Sequence, residues 1–531
     1  MTRKYRILLS VASGVLLSLA WLRFPGWTLF FAFFPLLLLE HYFVQNRKEF
    51  RVVSFWGHAL LAFLVWNVIT TWWIAHATLV GAILAILANS FLMSLVWWLG
   101  HAARRNFNST LGYLALIVFW ISFEYFHYNW DIEWPWLNLG NGFANSIKMV
   151  QWYEYTGTLG GSLWVLFMNV FLFRLYLNLT GKSTLKEKLI PASGFVLLFM
   201  VPTIISWIMY YSYTEKENPL EVVIVQPNID PYNEDYDQNA ENDKLQEFLR
   251  LAQSAATEKT DLVIGPETVF ERWPDWNVDR LESNPVFVQL AEWAWKYPNT
   301  EVIFGTSTHK VYPDAQSASS TSRVSEGTFY DVYNSAVFID RNGTGQVYHK
   351  SILVSGVEKM PLRKYLAWLN DVVFDLGGTT GSLGLQEEPS NFVLKNGAMA
   401  APVICYESVF GEYLSQFVRK GADFIVVITN DGWWKNTPGY RQHLSFSRLR
   451  AVETRRSIAR SANTGISCFI NQRGDVLQPT PWWEETAING TINLNDQITF
   501  YVRYGDYIAR ISMFTSVLLL LFLGVKQFIR K

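Results

Sequence analysis

The chain has 531 residues, too many for one ordinary domain, and half of them are hydrophobic while 17% are charged, against about 25% charged residues in typical soluble proteins. The formal net charge is −1 and no long basic run occurs, which argues against a nucleic-acid-binding protein. Charged residues are sparse before about residue 214 and frequent from there to about residue 510, so the sequence predicts a membrane region followed by a soluble region.

Eight apolar segments approach the roughly 20 residues that a helix needs to cross a bilayer. They are roughly residues 7–22, 27–44, 55–74, 79–99, 111–126, 159–177, 189–211 and 508–525. The first is short enough to suggest a signal peptide. It shows no small-residue cleavage site, however, and leads through Arg23 directly into the second segment. We therefore expect eight membrane-spanning helices.

Basic residues concentrate in alternate connections of this predicted topology. They precede the first segment, follow the eighth, and lie in the loops after the second, fourth and sixth. Because Lys and Arg accumulate in cytoplasmic loops, both termini are predicted to be cytoplasmic and the soluble region periplasmic. The expected domains are a seven-helix region (1–213), a soluble domain (220–498), and a last helix with its tail (508–531).

The loop after the fifth segment, residues 128–157, is rich in Trp and Tyr. Aromatic residues gather where a bilayer meets water. The loop is expected to form either such an interfacial belt or a lipid-facing platform beneath the soluble domain.

Apolar strand patterns alternate with helical patterns through the soluble region. Helices are expected at residues 243–259, 285–297, 411–420 and 440–456. Strands are expected at residues 221–228, 261–268, 301–309, 331–340, 346–350, 400–405, 423–430, 457–461, 467–471 and 487–494. Asn342-Gly343 predicts a hairpin turn between the fourth and fifth strands. The pattern indicates an α/β domain with strands buried on both faces.

Three reactive side chains lie at predicted strand ends, where α/β folds gather their functional residues. They are Glu267, Lys350 and Cys405. A Cys405 thiolate would attack an acyl group, Glu267 would accept the thiol proton, and Lys350 would stabilise the oxyanion.

Each of these residues also has a structural alternative. Glu267 could simply charge the first turn of a helix, Lys350 could be a solvated strand-end lysine, and Cys405 could be a buried strand cysteine. A disulfide between Cys405 and Cys468 is a further possibility outside the cytoplasm. Two cysteines without clustered histidines argue against structural zinc.

Short motifs around the three residues resemble the Glu, Lys and Cys motifs of the nitrilase (carbon–nitrogen hydrolase) superfamily. The motifs are Gly265-Pro266-Glu267, Tyr348-His349-Lys350 and Val403-Ile404-Cys405-Tyr406-Glu407, and residues 429–434 and 460–465 resemble later blocks. The eight predicted spans and the Trp-Pro-Trp-Leu-Asn-Leu-Gly run at residues 134–140 resemble its membrane branch, the apolipoprotein N-acyltransferases.

This resemblance implies a four-layer α-β-β-α sandwich in which Glu267 is the base, Lys350 stabilises the oxyanion and Cys405 is the nucleophile. It implies that Cys405 takes an acyl chain from a phospholipid, typically phosphatidylethanolamine, as a thioester. The chain would then pass to the α-amino group of the diacylglyceryl-cysteine of an apolipoprotein. Glu358, Tyr406 and Glu407 match supporting or substrate-binding positions.

The resemblance further implies a monomeric enzyme of the bacterial inner membrane that needs no cofactor or metal. Two other functions are compatible with parts of the sequence. A membrane-tethered amidase or nitrilase with a small substrate would keep the same three residues. A transporter with a periplasmic receptor domain would need charged residues within its spans, and Glu124 is the best candidate for such a residue.

Three further segments of the soluble region are notable. Residues 360–369 mix basic and apolar side chains and could form either a lid that enters the membrane interface or an ordinary packed helix. Tyr232 and Tyr236 occupy the loop where the family often has a tryptophan, so no role is transferred to them. The Ser-rich residues 312–326 are expected to be a surface insertion.

Overall fold

The computed structural model describes residues 1–181, 184–232, 238–270, 276–360 and 382–529. The chain forms two compact units. The first combines Met1–Ala75, Leu79–Tyr213 and Tyr504–Lys531, and the second combines His76–Thr78 with Thr214–Arg503. Residues 361–369 of the expected lid and Tyr236 lie outside the described residues.

The α-helices that the structure describes are, in chain order, α1 (Arg3–Ser18), α2 (Phe34–Gln45), α3 (Val53–Thr71), α4 (Leu79–Asn106), α5 (Ser109–Tyr128), α6 (Tyr153–Thr180), α7 (Leu185–Ser212), α8 (Gln238–Ala255), α9 (Pro285–Ala294), α10 (Gly411–Arg419), α11 (Pro438–Thr454), α12 (Phe500–Tyr504) and α13 (Tyr507–Ile529). The strands are β1 (Pro219–Gln226), β2 (Leu262–Ile264), β3 (Glu301–Tyr312), β4 (Arg323–Ser325), β5 (Thr328–Ile339), β6 (Gly345–His349), β7 (Phe392–Val393), β8 (Met399–Ile404), β9 (Phe424–Thr429), β10 (Ile458–Ala462), β11 (Cys468–Ile470), β12 (Val476–Leu477) and β13 (Thr486–Asn493).

Eight helical segments among the described residues are long and apolar enough to cross a membrane. They are Arg3–Leu22, Gly26–Gln45, Val53–His76, Leu79–Asn106, Ser109–Tyr128, Tyr153–Thr180, Leu185–Ser212 and Tyr507–Lys526. The predicted number and order of spans are confirmed, but several helices extend beyond their predicted edges. Hydropathy marks only the part of a helix that lies in the hydrocarbon core of a bilayer. The backbone hydrogen bonds of the helix continue into its polar flanks.

Helix α7 illustrates why this unit needs an apolar environment. Only 11% of its most apolar 18-residue stretch is buried within the protein, and side chains such as Leu189, Leu197 and Ile208 are exposed. An apolar surface of this extent is unfavourable in water. A bilayer removes that cost.

Charged side chains inside the helical unit have specific partners. Glu40 of α2 lies 2.9 Å from His101 Nδ1 and 3.5 Å from Arg104 Nε, both on α4. Glu124 of α5 accepts hydrogen bonds at Oε1 from Trp120 Nε1 and from the backbone N–H of Leu139, each at 2.8 Å. Glu124 therefore anchors the following loop to α5. This structural contact explains why a carboxyl group lies in a membrane span, and no ion-conducting role is needed to explain it.

Residues 135–144 of the aromatic loop are buried, so the alternative of a lipid-facing platform is wrong for this part of the loop. The Trp136 side chain is 1% exposed and its ring centroid lies 5.1 Å from that of Trp73. The indole N–H of Trp21 donates to the Trp136 carbonyl at 3.2 Å. The loop fills the interior of the helical unit because its backbone polar groups find partners there.

Close packing in this loop requires glycine at position 140. A Cβ built on Gly140 would overlap the carbonyl oxygen of Thr158, which is a backbone atom and cannot rotate away. Gly57 of α3 offers a contrast, since its Cβ would meet no atom within 4 Å.

Gly140→Ala should lower the stability of the helical unit by about 1–3 kcal/mol or more, because overpacking forces the backbone apart. Gly57→Ala should leave stability unchanged or slightly raised, since alanine favours a helix by about 1 kcal/mol over glycine. Thermal unfolding of both variants in detergent measures the difference. Equal melting temperatures would contradict the packing assignment.

The second unit contains two sheets among its described residues. The larger has the strand order β13-β1-β2-β3-β5-β4, with β6 paired to β5, and the smaller has the order β12-β11-β10-β9-β8-β7. Strands β1, β2 and β3 are parallel, as are β8, β9 and β10. The expected hairpin is confirmed, since β5 and β6 pair antiparallel.

Alternating side chains of β1 separate the layers of this unit. Val222 and Ile224 belong to a core shared with Val403 and Ile425 of the second sheet. Their neighbours Val223 and Val225 belong to a second core with Phe248 of α8 and Phe287 of α9. Because alternate residues of a strand face opposite sides, one face of the first sheet packs on the second sheet and the other on helices.

Helices α10 and α11 pack on the second sheet. Leu414 and Phe417 of α10 and Ala451 of α11 join the core that contains its strands. The α-β-β-α sandwich that the sequence implied is therefore confirmed.

Several strand boundaries differ from the sequence prediction. Strand β2 ends at Ile264, before Pro266, which has no N–H to donate to a sheet. Strand β3 continues to Tyr312, and the Ser-rich insertion contains β4, which pairs with β5. The short strands β4, β7 and β12 were not predicted, because two or three residues carry too little periodicity to be recognised.

Candidate active site

Glu267, Lys350 and Cys405 each follow a strand. Lys350 comes directly after β6 and Cys405 directly after β8, while Glu267 lies in a turn three residues beyond β2. No helix begins at Glu267 within the described residues 265–270, so the helix-start alternative for this residue is wrong.

The turn that carries Glu267 lies against strand β3 at Gly305. A Cβ on Gly305 would lie 2.6 Å from the Cα of Glu267, and the Gly305 N–H donates to the Pro266 carbonyl at 2.9 Å. Glycine at position 305 therefore allows the Glu267 turn to lie close to the sheet.

Lys350 forms the centre of a buried charged cluster. Its Nζ lies 3.2 Å from Glu267 Oε1 and 2.8 Å from Glu358 Oε1. Asn334 Nδ2 donates to the same two oxygens at 2.8 and 2.9 Å. Two carboxyl groups thus share two donors.

The charges of this cluster govern the pKa of Lys350. Burial alone would lower the pKa of the ammonium, but the carboxylates of Glu267 and Glu358 outweigh burial and raise it. Lys350 is 1% exposed, so its positive charge is held by neighbouring carboxylates rather than by water.

The remaining oxygen of Glu267 reaches the second sheet. Its Oε2 accepts the backbone N–H of Asn430, which follows β9, at 3.0 Å. Glu358 Oε2 accepts the N–H of Val354 at 2.7 Å. Glu267 therefore connects the ends of strands from both sheets and has little freedom to change rotamer.

Cys405 is a free thiol that is 9% exposed, and Cys468 is also free. The disulfide alternative is therefore wrong. Burial and the neighbouring Glu267 carboxylate raise the pKa of the Cys405 thiol, while Lys350 opposes this rise. The resting group is a protonated thiol, and it needs a base before it can act as a nucleophile.

Glu407 connects the strand ends that carry Lys350 and Cys405. Its Oε1 accepts from Tyr348 Oη at 2.6 Å and from the N–H of Ser351 at 2.7 Å, and its Oε2 accepts from the N–H of Ile404 at 2.8 Å. Burial raises the pKa of Glu407 to about 7, and these hydrogen bonds oppose the rise. The side chain fixes the spacing of the two strand ends.

The sequence interpretation did not identify Asn334, although it lies within the predicted strand 331–340. The available signal was the polar pair Asn334-Ser335 within an otherwise apolar stretch of this buried strand. The Tyr406 side chain, which the sequence did single out, packs against the Phe410 ring with centroids 5.1 Å apart. Among the described residues, no group of three or more His, Cys, Asp or Glu side chains is arranged to hold a metal ion.

Two family models match the chain. The carbon–nitrogen hydrolase model matches residues 221–500, which is more than half of the chain. The model of the apolipoprotein N-acyltransferase N-terminal domain matches residues 13–171. The second unit is therefore a carbon–nitrogen hydrolase domain.

Curated relatives match nearly the whole chain. The apolipoprotein N-acyltransferase of Chlorobaculum tepidum is 30% identical over 98% of this chain and 96% of its own length. Those of Geobacter metallireducens and Haemophilus influenzae are each 27% identical, over 94% and 100% of this chain and 92% and 97% of their own lengths. The chain therefore belongs to the apolipoprotein N-acyltransferase family and is an acyltransferase, which confirms the resemblance found in the sequence.

Solved structures also resemble part of the chain. A CN-hydrolase superfamily protein from Xanthomonas campestris is 18% identical, with a TM-score of 0.35, over 52% of this chain and 91% of its own. Nit3 of Saccharomyces cerevisiae, a member of branch 10 of the nitrilase superfamily, is 17% identical, with a TM-score of 0.36, over 53% of this chain and 93% of its own.

Glu407→Gln should destabilise the second unit by about 1–3 kcal/mol. The glutamine NH₂ would face a backbone N–H that now donates to a Glu407 oxygen, and that N–H would lose its acceptor. Thermal unfolding of the full-length protein in detergent measures this change. Glu388→Gln is the matched control: Glu388 pairs with Lys420 at the surface, and its side chain is 82% exposed. The control should lie within about 0.5 kcal/mol of the parent protein, and an equal loss in both variants would contradict the role of Glu407.

Proposed function

We propose that the enzyme moves an acyl chain from a phospholipid, such as phosphatidylethanolamine, to Cys405 and then to an apolipoprotein. The acceptor is the α-amino group of the N-terminal diacylglyceryl-cysteine. The observation that carries this proposal is geometric: Cys405 is a buried free thiol directly after β8. Glu407 ties this strand end to the end of β6, where Lys350 Nζ lies 3.2 Å from Glu267 Oε1. The family supplies the lipoprotein acceptor.

The first half-reaction begins with proton transfer from the Cys405 thiol to the Glu267 carboxylate. The resulting thiolate attacks the ester carbonyl of the phospholipid and forms a tetrahedral oxyanion. The Lys350 ammonium stabilises this oxyanion, together with the backbone N–H of Tyr406, and each such donor contributes about 3–4 kcal/mol in enzymes where it was removed. Collapse breaks the ester bond, and the proton on Glu267 goes to the departing lysophospholipid alkoxide.

The second half-reaction repeats this sequence with a different nucleophile. The neutral α-amino group attacks the thioester, Glu267 takes the amine proton, and collapse releases the amide product. The proton then returns to the Cys405 sulfur. Because Cys405 is 9% exposed, little water reaches the thioester between the two steps, which limits hydrolysis.

Glu358 keeps Lys350 charged while Glu267 carries a proton. Protonation of Glu267 removes one of the two carboxylates that hold the Lys350 ammonium. Glu358 Oε1, at 2.8 Å from Lys350 Nζ, remains as its partner. A buried ammonium without any anion would be costly, so the second carboxylate preserves oxyanion stabilisation throughout the cycle. Glu407 supports the same cycle by fixing the positions of Lys350 and Cys405.

The site residues thus have distinct roles in the proposed reaction. Glu267 is the base, Lys350 and Tyr406 stabilise the oxyanion, and Cys405 is the nucleophile. We further propose that residues 220–498 form a periplasmic catalytic domain, held by residues 1–213 and 508–531 in the inner membrane of a bacterium. Both termini would be cytoplasmic, and the enzyme would act as a monomer without a cofactor.

Incubation of the full-length enzyme with phosphatidylethanolamine and no acceptor should add one acyl mass to the peptide that contains Cys405. Mass spectrometry detects the adduct, and neutral hydroxylamine should remove it because it cleaves thioesters. Hydrolysis of a small amide without any adduct would instead favour a membrane-tethered amidase.

Three variants control this experiment. Cys405→Ala should abolish the adduct, whereas Cys468→Ala should retain it, since Cys468 is a second buried free thiol on β11. Glu267→Gln should slow adduct formation by about 10²–10⁴-fold, the usual contribution of a general base. Acylation that survives Cys405→Ala would refute the proposed mechanism.

Orientation can be tested by cysteine labelling in a Cys405→Ala/Cys468→Ala background. Ser320→Cys lies in the exposed insertion and Lys48→Cys lies in an exposed loop of the helical unit. A membrane-impermeant maleimide should label Ser320→Cys in intact spheroplasts and should label Lys48→Cys only after lysis. The reverse pattern would overturn the periplasmic assignment.

A further inference from the structure

The backbone of Cys405 has an unfavourable conformation. Its φ is 49°, in the left-handed region, whereas the preceding Ile404 is extended with φ −97° and ψ 111°. A residue with a side chain pays about 1 kcal/mol or more for this conformation. The chain turns here from strand β8 into the short 3₁₀ helix Cys405–Val409, so neighbouring groups must hold the turn.

Two side chains hydrogen-bond the carbonyl oxygen of Cys405. Ser408 Oγ donates to it at 2.7 Å, and His443 Nε2 lies 3.1 Å from it. A carbonyl oxygen can only accept, so Nε2 of His443 carries the hydrogen. Ser408 Oγ also lies 3.0 Å from this nitrogen, which places all three groups in one network.

The His443 ring is itself fixed from its other side. Its Nδ1 lies 2.9 Å from Asp431 Oδ1, and Arg460 Nη2 donates to Asp431 Oδ2 at 2.8 Å and lies 3.1 Å from the same Nδ1. Thr429 Oγ1 donates to Asp431 Oδ1 at 2.9 Å. Burial alone would raise the pKa of Asp431, but Arg460 and His443 lower it to about 2. Asp431, His443 and Arg460 are each 0% exposed.

We propose that His443, oriented by Asp431 and Arg460, is a positioning residue that fixes the peptide group between Cys405 and Tyr406 for acyl transfer. In a trans peptide the C=O and N–H bonds lie in one plane and point in opposite directions. A donor on the carbonyl of Cys405 therefore sets the direction of the Tyr406 N–H as well as the backbone from which the thiol projects. His443 does this without touching the reacting atoms, and its role rests on the proposed thioester reaction.

The position of this cluster indicates more than fold stability. A buried Arg–Asp–His group is weak evidence for stability, because desolvation of its charges offsets much of their attraction. The cluster ends at His443, which contacts the carbonyl oxygen of Cys405. Cys405 is both the proposed nucleophile and the residue with the left-handed backbone. Since a misplacement of about 1 Å costs about 10²-fold in rate, control of this one peptide has a large expected effect on acylation.

The test measures the rate of acyl-Cys405 formation in full-length enzyme with phosphatidylethanolamine vesicles, by quenched mass spectrometry. His443→Leu removes the donor at similar volume and should slow acylation by about 10–100-fold at saturating lipid, without changing half-saturation. His443→Gln keeps an N–H donor at the end of its side chain and should recover most of this loss, although it too lacks the imidazole contact with Asp431.

Leu449→Ala is the structural control on the same helix. Leu449 of α11 is fully buried and its truncation should cost about 2–5 kcal/mol of stability. Its acylation rate per folded enzyme, measured below its melting temperature, should equal that of the parent enzyme. Melting temperatures of all variants are measured together, so that rate and stability can be separated.

The outcomes separate this inference from the proposed function. Slow acylation of Cys405 in His443→Leu, with most of the rate recovered in His443→Gln, supports the positioning role of His443. Parent-like acylation in His443→Leu overturns the inference, and so does equal slowing in both His443 variants that follows their melting temperatures. If the parent enzyme forms no adduct at Cys405, the proposed function itself fails. If His443→Leu does not fold, Ser408→Ala carries the test, because it removes the other carbonyl donor and should also slow acylation.

Discussion

The site depends on one buried ammonium group. Lys350 Nζ contacts the carboxylates of Glu267 and Glu358 and is almost fully excluded from water. Removal of one partner from a buried ion pair costs about 3–5 kcal/mol, because the remaining charge is left uncompensated. The Glu267 turn, the end of β6 and the segment that carries Glu358 must therefore assemble together. This constraint explains why Asn334 and Gly305 occupy positions where only a small set of residues would fit.

The same constraint extends across both sheets of the second unit. Glu267 accepts a backbone N–H from Asn430 beyond β9, and Glu407 joins Ser351 after β6 to Ile404 of β8. These contacts exist only when the apolar faces of the two sheets are packed. Hydrophobic burial, at about 25 cal/mol per Å² of apolar surface, thus supplies the force that brings the charged groups together. The charged groups then select one register of strand ends.

Sequence patterns were sufficient for the features that repeat along the chain. Apolar runs predicted eight spans and the strands that precede Glu267, Lys350 and Cys405, because periodicity reflects burial directly. Contacts between distant segments lacked such a signal. Nothing in the local sequence indicates that His443 of α11 reaches the Cys405 carbonyl, or that residues 135–144 are buried. The left-handed backbone of Cys405 was likewise unpredictable, because its stabilising partners are 3 and 38 residues away.

Charge conservation explains why so compact a cluster can serve the whole proposed reaction. In the resting site Lys350 faces the carboxylates of Glu267 and Glu358, so the cluster has one excess negative charge. Proton transfer from Cys405 to Glu267 moves that negative charge to sulfur, and attack on the substrate moves it to the oxyanion. In the proposed reaction the Lys350 ammonium would stay near the charge at every stage, and a fixed cation in a site of low dielectric needs no reorganisation to follow it. Under this proposal Lys350 would lower the barrier most when the Cys405 peptide is held so that sulfur and oxyanion both remain within its reach. This requirement connects the ion pair to the backbone contact of His443.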